Sequence, residues 1–200
     1  MQPTARTLWI LTLAAVSLAV SAHPLLAGSA DLVARGRQAL DAGRAEEALG
    51  LFEQAVIAGP DDPAALAWLG SAQAGRARAA PLLERPGWVR KGFRSLDRAV
   101  ERFPEASIVY VVRGLTAAQV PDFFGKAAVA ERDLARVVSL REANPAGVPD
   151  EVMPRVYLHL GLVLKRMGRA DEARAVWEQA LRAYPAAPEA RAIAAELGAR

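Results

Sequence analysis

The chain of 200 residues contains no cysteine, which excludes disulfides, thiolate catalysis and cysteine-held metal sites. Histidine is nearly as scarce. There are two copies, and His23 lies beside an apolar leader, so His159 is the one dependable imidazole. A single histidine without cysteine makes no zinc cluster of the usual kind. Neither a metal nor a cofactor is expected. A large charge of one sign is missing as well, because the formal net charge of +3 is too small to point to nucleic acid by itself. Strand-forming runs are few, the exception being the β-branched stretch from Ile108 to Val112. No Gly-rich phosphate loop or nucleophile elbow is present. The acidic pairs Asp61 with Asp62 and Asp150 with Glu151 stand at predicted helix starts, where capping accounts for them without acid–base work. No enzyme is expected from this inventory. Alanine, leucine, arginine and glutamate are plentiful and favour helix, so the expected class is all-α.

The N-terminus carries an address. Arg6 precedes an uncharged apolar run from Leu8 to Val20, and the small residues Ser21 and Ala22 follow. That is the pattern of a secretory signal over residues 1–22, cleaved near Ala22 or Ala27. The alternative is an uncleaved anchor, since no charge falls between Arg6 and Asp31 and that length can just span a bilayer. Either reading places the globular part in the periplasm or outside the cell. It would confine any membrane contact to this segment. No cysteine follows the run, so lipid attachment there is excluded.

The most informative stretch is Pro154 to Pro185. Tyr157, Leu160, Gly161 and Leu164 form one half of a pattern, and Ala173, Trp177, Ala180 and Pro185 the other. Gly168 lies between them, where a helix must end and the chain must turn. The spacing predicts two antiparallel helices whose backbones approach at the small Gly161, Ala173 and Ala180. Larger side chains would fill the space around them. The pattern resembles a tetratricopeptide repeat, a 34-residue helix pair with aromatic, Leu-Gly, aromatic, Ala and Pro positions. Here Tyr157, Leu164 and Trp177 stand at the aromatic positions.

If Gly161 marks one such crossing, Gly36, Gly70 and Gly114 answer upstream, at intervals of 34, 44 and 47 residues. The first interval is the bare repeat, and the others contain insertions, which a helical stack tolerates in its loops. The expected domain covers residues 29–200, with repeats at about 29–62, 63–106, 107–150 and 154–187 and a capping helix at 188–198. The expected architecture is a short right-handed solenoid of stacked helix pairs. In the first repeat Ala48, Phe52, Ala55 and Pro60 supply the second half, with Gly43 as the turn. In the second, Gly92, Leu96, Ala99 and Pro104 do so only if residues between about Gly75 and Gly87 are inserted. The third has Ala130, Leu134 and Val137 as a degenerate second helix, followed by a long link from Ser139 to Asp150.

Tetratricopeptide stacks commonly bind a peptide along the concave face made by the first helix of each repeat. The resemblance implies that Val33, Arg37, Leu40, Ile108, Val111, Leu115, Arg155, Leu158, Leu162 and Lys165 line such a groove, together with Ala67 and Ser71. Its lining is mostly apolar, and the asparagine of carboxylate-gripping relatives is missing. Three covers for such a face are open: the insertions, through Leu82, Leu83 and Trp88; a protein or peptide partner, including a second copy; or a lipid-like ligand. The leading expectation is a protein-binding scaffold, and the alternative a carrier of a small apolar ligand. A secondary surface is marked by Trp88, Arg90, Lys91, Phe123 and Phe124. Trp88 either anchors its loop or stacks on a ligand. The two phenylalanines either staple the third repeat or form a hot spot. Between Ala74 and Arg102 eight basic residues face three acidic ones, whereas Asp31 to Gln73 holds three basic and seven acidic. Opposite ends of neighbouring copies would then attract, unless the run is a solvated helical face.

Overall fold

In a computed structural model that describes residues 27–198, all regular structure is helical. The expected leader at 1–22 lies outside the described residues. The helices run α1 (Ser29–Asp41), α2 (Ala45–Ala58), α3 (Pro63–Gly75), α4 (Arg85–Arg102), α5 (Ser107–Gln119), α6 (Ala127–Ala143), α7 (Met153–Arg166), α8 (Ala170–Ala183) and α9 (Ala190–Gly198). They pair in order, α1 with α2, α3 with α4, α5 with α6 and α7 with α8, and each pair packs on the next. This is an all-α solenoid.

Each pair closes at its glycine. A Cβ on Gly36 would lie 2.5 Å from Phe52, on Gly70 2.8 Å from Leu96, and on Gly114 2.8 Å from Leu134. On Gly161 it would overlap the indole of Trp177. The four glycines are therefore equivalent crossings, and their partners Phe52, Leu96, Leu134 and Trp177 are all buried. Sixteen residues separate glycine from partner in the first and fourth pairs, which need only a three-residue turn. In both, a glycine with positive φ (Gly43 at 74°, Gly168 at 79°) ends the first helix. The following arginine N–H then reaches back to the carbonyl of Ala39 or Leu164, satisfying groups that a helix end leaves open.

The second and third pairs spend their insertions differently. Between α3 and α4 the extra residues form a 3-10 turn at Arg76–Arg78, a loop, and extra length at the start of α4, where Pro86 sits in the first turn and costs no hydrogen bond. Between α5 and α6 a short 3-10 turn, Asp122–Phe124, is closed by Gly125. Of the starts of α1 to α8, that of α3 alone carries a side-chain cap. Asp62 accepts from the N–H groups of Ala64 (2.8 Å) and Ala65 (3.3 Å) ahead of α3, and also from the Ser29 hydroxyl (2.6 Å).

The run Ile108–Val112 is helical within α5, as the expected first helix of the third repeat requires, because Val109 to Val112 are buried and packing outweighs a weak strand preference. Two readings need correction. The link after the third pair is shorter than expected, since Ser139 to Ala143 continue α6. The insertion before α4 does not fold onto the first-helix face: Leu82 and Leu83 are 74% and 95% exposed. At the far end α9 buries Ile193 against α7 and α8, as a capping helix must.

Candidate functional site

The first helices α1, α3, α5 and α7 lie in a row, each against the next. Their repeat-equivalent positions make the face on which a binding groove was expected. Leu40, Ile108, Leu158 and Leu162 are half-buried there, packed on one side and accessible on the other. Arg37, Arg155 and Lys165 are exposed. Val33, Val111 and Leu115 are not available for contact, being 7%, 4% and 9% exposed. Val33 belongs to the core of the first pair, whereas for Val111 and Leu115 the cause is the closeness of α3 to α5. Ala67, Ser71 and Ala74 are small enough for α5 to approach, and Thr116 donates a hydrogen bond to Ser71 (2.9 Å), so the middle of the face closes on itself.

The polar residues of the face are partly engaged. Arg155 faces Glu189 at 3.5 Å and Lys165 bonds Glu196 at 2.8 Å, both carboxylates belonging to the α9 segment. Such exposed pairs hold α9 in orientation more than they add stability. At the other end the Arg37 guanidinium lies over the ring of Trp68, 5.5 Å from its centroid. Trp68 also stacks on Phe52 at 6.0 Å and joins the core of the first pair to that of the rest. Sequence reasoning passed over Trp68, which sits two residues before Gly70 on the accessible side of α3.

His159 is half-buried on α7. Burial, then the neighbouring Arg155 and Arg166, push its pKa below the ordinary 6.5, with Glu189 opposing weakly. As pH falls from 6.5 the unfolded imidazole takes up its proton first, so this histidine's contribution to stability is present above that value and is lost on acidification. His159→Gln should therefore show a shallower loss of stability below pH 6.5 than the natural chain, measured by urea unfolding at stepped pH. Equal slopes would mean that the imidazole titrates as it does in the unfolded chain.

The secondary surface divides. Trp88 is half-buried against the core, with Arg76 and Lys91 over its ring at 4.6 and 5.0 Å, so it anchors the insertion. Phe124 packs on the core, while its neighbour Phe123, at 4.4 Å between rings, is 81% exposed. Part of the charge asymmetry is spent within the chain, through ion pairs of Arg76 with Glu46 and Arg102 with Asp61. Arg90, Lys91 and Arg94 are exposed, and among the described residues no carboxylate lies within 4.0 Å of them.

A buried ionic group escaped the sequence reading altogether. Arg113 on α5 makes two hydrogen bonds to Asp133 on α6 (2.6 and 3.0 Å) and one to Asp97 on α4 (2.9 Å). Burial opposes the Arg113 charge, but the two carboxylates outweigh it and raise its pKa further. Its position directly before Gly114 is held by Leu69 and Leu160 in the second and fourth repeats but by the exposed Arg35 in the first, so the residue type alone did not announce burial.

Among the described residues no three metal-ligating side chains converge, and no helix is long and apolar enough to cross a membrane. Two open depressions, of about 510 Å³ beside Pro185 to Arg191 and about 310 Å³ between α4 and the Phe124 turn, lie away from the first-helix face. Tetratricopeptide repeat family models match residues 33–85 and 154–197. The match thus covers the first pair, the start of the second and the fourth. Among solved structures the chain is similar to MamA of AMB-1, at 29% identity over 85% of this chain and 87% of that one, with a TM-score of 0.53. It is similar in fold to TTC0263, a thermophilic protein of Thermus thermophilus, at 24% identity over 85% and 99% of the two chains and a TM-score of 0.51. MamA of MSR-1 gives 24% identity over 85% and 92%, with a TM-score of 0.51. The comparison with curated proteins gives no match.

Proposed function

Because the chain is a tetratricopeptide repeat protein, we propose that it is a non-enzymatic scaffold of the bacterial cell envelope, holding a protein or peptide partner along its first-helix face. Repeats of this kind serve in general as protein-interaction modules. The observation that carries the reading is the set of half-buried Leu40, Ile108, Leu158 and Leu162, which lie at different turns of one stripe along the first helices α1, α5 and α7, each fixed on its inner side and open on its outer side. A short amphipathic segment laid across them would bury its apolar face. Arg37 and Trp68 supply a cationic and aromatic contact at one end, and Arg155 and Lys165 a charged border at the other. The envelope placement is supported by Arg6 and the apolar run from Leu8 to Val20. The carrier reading gains nothing from two open depressions that lie elsewhere.

A photo-crosslinking residue placed at Arg37 or Leu158 in the full chain should capture a partner in envelope extracts, and one at the exposed Glu178 of α8 should not. With the captured partner purified, Leu40→Asp with Leu162→Asp should weaken binding by roughly tenfold or more, the scale set by losing over 1 kcal/mol at an interface contact, while helicity is unchanged. Adducts confined to position 178 would sink the reading.

A further inference from the structure

In antiparallel pairs every link from a first to a second helix emerges on the same edge of the stack. Three of these links expose large apolar side chains: Leu82 (74%) and Leu83 (95%) between α3 and α4, Phe123 (81%) between α5 and α6, and Met167 (39%) between α7 and α8. The other large apolar side chain so exposed among the described residues, Ile57, is at the far end of α2, on the opposite edge. The links are joined into a row. Arg78 bonds Gln119 at the end of α5 (3.0 Å), and Arg166 at the end of α7 donates to the Ala118 carbonyl (3.0 Å) and faces Asp122 at 3.7 Å. They are also held in shape: Glu84 N–H closes a turn on the Pro81 carbonyl (2.9 Å), and Phe124 anchors Phe123.

Positive charge predominates along the α3–α4 link and the start of α4, and Asp122 beside Phe123 is matched by Arg166 at 3.7 Å. From Arg76 to Arg94 there are six basic residues and one acid, Glu84. Arg90, Arg94 and Lys126 border the depression of about 310 Å³ together with one carboxylate, Asp97, which is held by Arg113. The wall of the depression includes Phe93 and Phe124, and the Lys126 ammonium sits 4.4 Å from the Phe93 ring centroid. Separate side chains projecting from a row of turns would bury little against another rounded protein surface, but a plane can receive them together. Apolar tips flanked by unpaired cations suit the headgroup boundary of an acidic bilayer, where apolar groups enter and cations meet phosphate.

We propose that this edge docks on an anionic lipid surface, with Leu82, Leu83 and Phe123 entering the headgroup layer and Arg90, Arg94 and Lys126 meeting its phosphates. The contact is additional to any made by the N-terminal segment. It would set the stack upright on the membrane and leave the first-helix face free for a partner.

The absence of cysteine makes the test clean. Leu83→Cys, Phe123→Cys and Ile57→Cys full-length chains, each carrying an environment-sensitive fluorophore, are mixed with vesicles of equal parts phosphatidylcholine and phosphatidylglycerol, or of phosphatidylcholine alone. The labels at 83 and 123 should shift to the blue on the acidic vesicles only, and the label at 57 should stay water-like. Arg90→Gln with Arg94→Gln, both at exposed positions, should lower the affinity read by the label at 83 by roughly 30-fold, at about fivefold for each cation lost near an acidic surface. High salt should act in the same direction. An unshifted label at 83 on vesicles that carry the chain down overturns the proposal and leaves this edge to a protein partner. An equal shift at 57, or on neutral vesicles, overturns it as well.

Discussion

Replacing Trp177 by alanine should cost about 3 to 5 kcal/mol of folding stability, the range for emptying a buried aromatic site. Trp177 is 3% exposed, fills the crossing of α7 with α8, and donates its indole N–H to the Leu158 carbonyl at 3.2 Å. Its replacement leaves a void and removes the second hydrogen bond of a carbonyl whose first belongs to the α7 ladder. The converse change is informative. Gly161→Ala would drive a methyl into the same indole, whose Cδ1 lies only 2.7 Å from the new carbon, and a buried ring fixed by a hydrogen bond cannot swing away. Overpacking of this kind costs about 1 to 3 kcal/mol or somewhat more. In the Trp177→Ala background the methyl would enter the void, so most of that cost should vanish. Urea unfolding of the two single variants and the double variant measures the coupling. Because each pair leans mainly on its neighbours, hydrogen exchange should locate the weakening in α7, α8 and α9 and leave α1 to α3 protected. If Gly161→Ala costs the same in both backgrounds, the crossing is not what the glycine is there for.

That coupling also explains why the architecture could be read from the chain. A glycine that admits a neighbouring ring or leucine is a steric requirement of one position, and four of them recur despite insertions of different length. The turn glycines Gly43 and Gly168 were legible for the same reason, since each takes a positive φ that disfavours any other residue. What the sequence could not disclose was how far neighbouring first helices close. Val111 and Leu115 have the spacing of groove residues, yet Ala67, Ser71 and Ala74 on the next helix let that helix come close enough to cover them. Such closure belongs to two helices at once, and a register drawn along one helix does not contain it. For Leu82 and Leu83 the sequence left a cover of the groove as one of three possibilities, and the loop removes it by turning at Pro81 and carrying them outward. Arg113 went unnoticed because arginine is ordinarily a surface residue, and only its carboxylate partners, 16 and 20 residues away, make burial tolerable.

Arg113 supplies the second large effect. With Asp133 only 1% exposed, Arg113→Leu strips a buried carboxylate of both its hydrogen bonds to the guanidinium, and the expected cost is about 3 to 5 kcal/mol. Asp133→Leu should cost less, because Arg113 keeps its 2.9 Å hydrogen bond to Asp97, whose side chain is 47% exposed and shares the charge with solvent. Asp133 without Arg113, by contrast, keeps only a 3.5 Å contact with the largely exposed Arg132. Replacing both together puts an apolar residue before Gly114, as Leu69 stands before Gly70 and Leu160 before Gly161, and leaves no buried charge at either position. The double variant should therefore recover to within about 1 kcal/mol of the natural chain or exceed it, since well-packed apolar replacements of buried ion pairs are often neutral or stabilising by about 1 to 4 kcal/mol. The order Arg113→Leu, Asp133→Leu, double variant, from least to most stable, is the result to look for in urea midpoints at matched slopes. A double variant as unstable as Arg113→Leu would show that the guanidinium is needed for its shape and its reach to Asp97, not merely as a counter-charge. In that event the triad, which ties α4, α5 and α6 at one point, would be what fixes the angle between the second and third pairs.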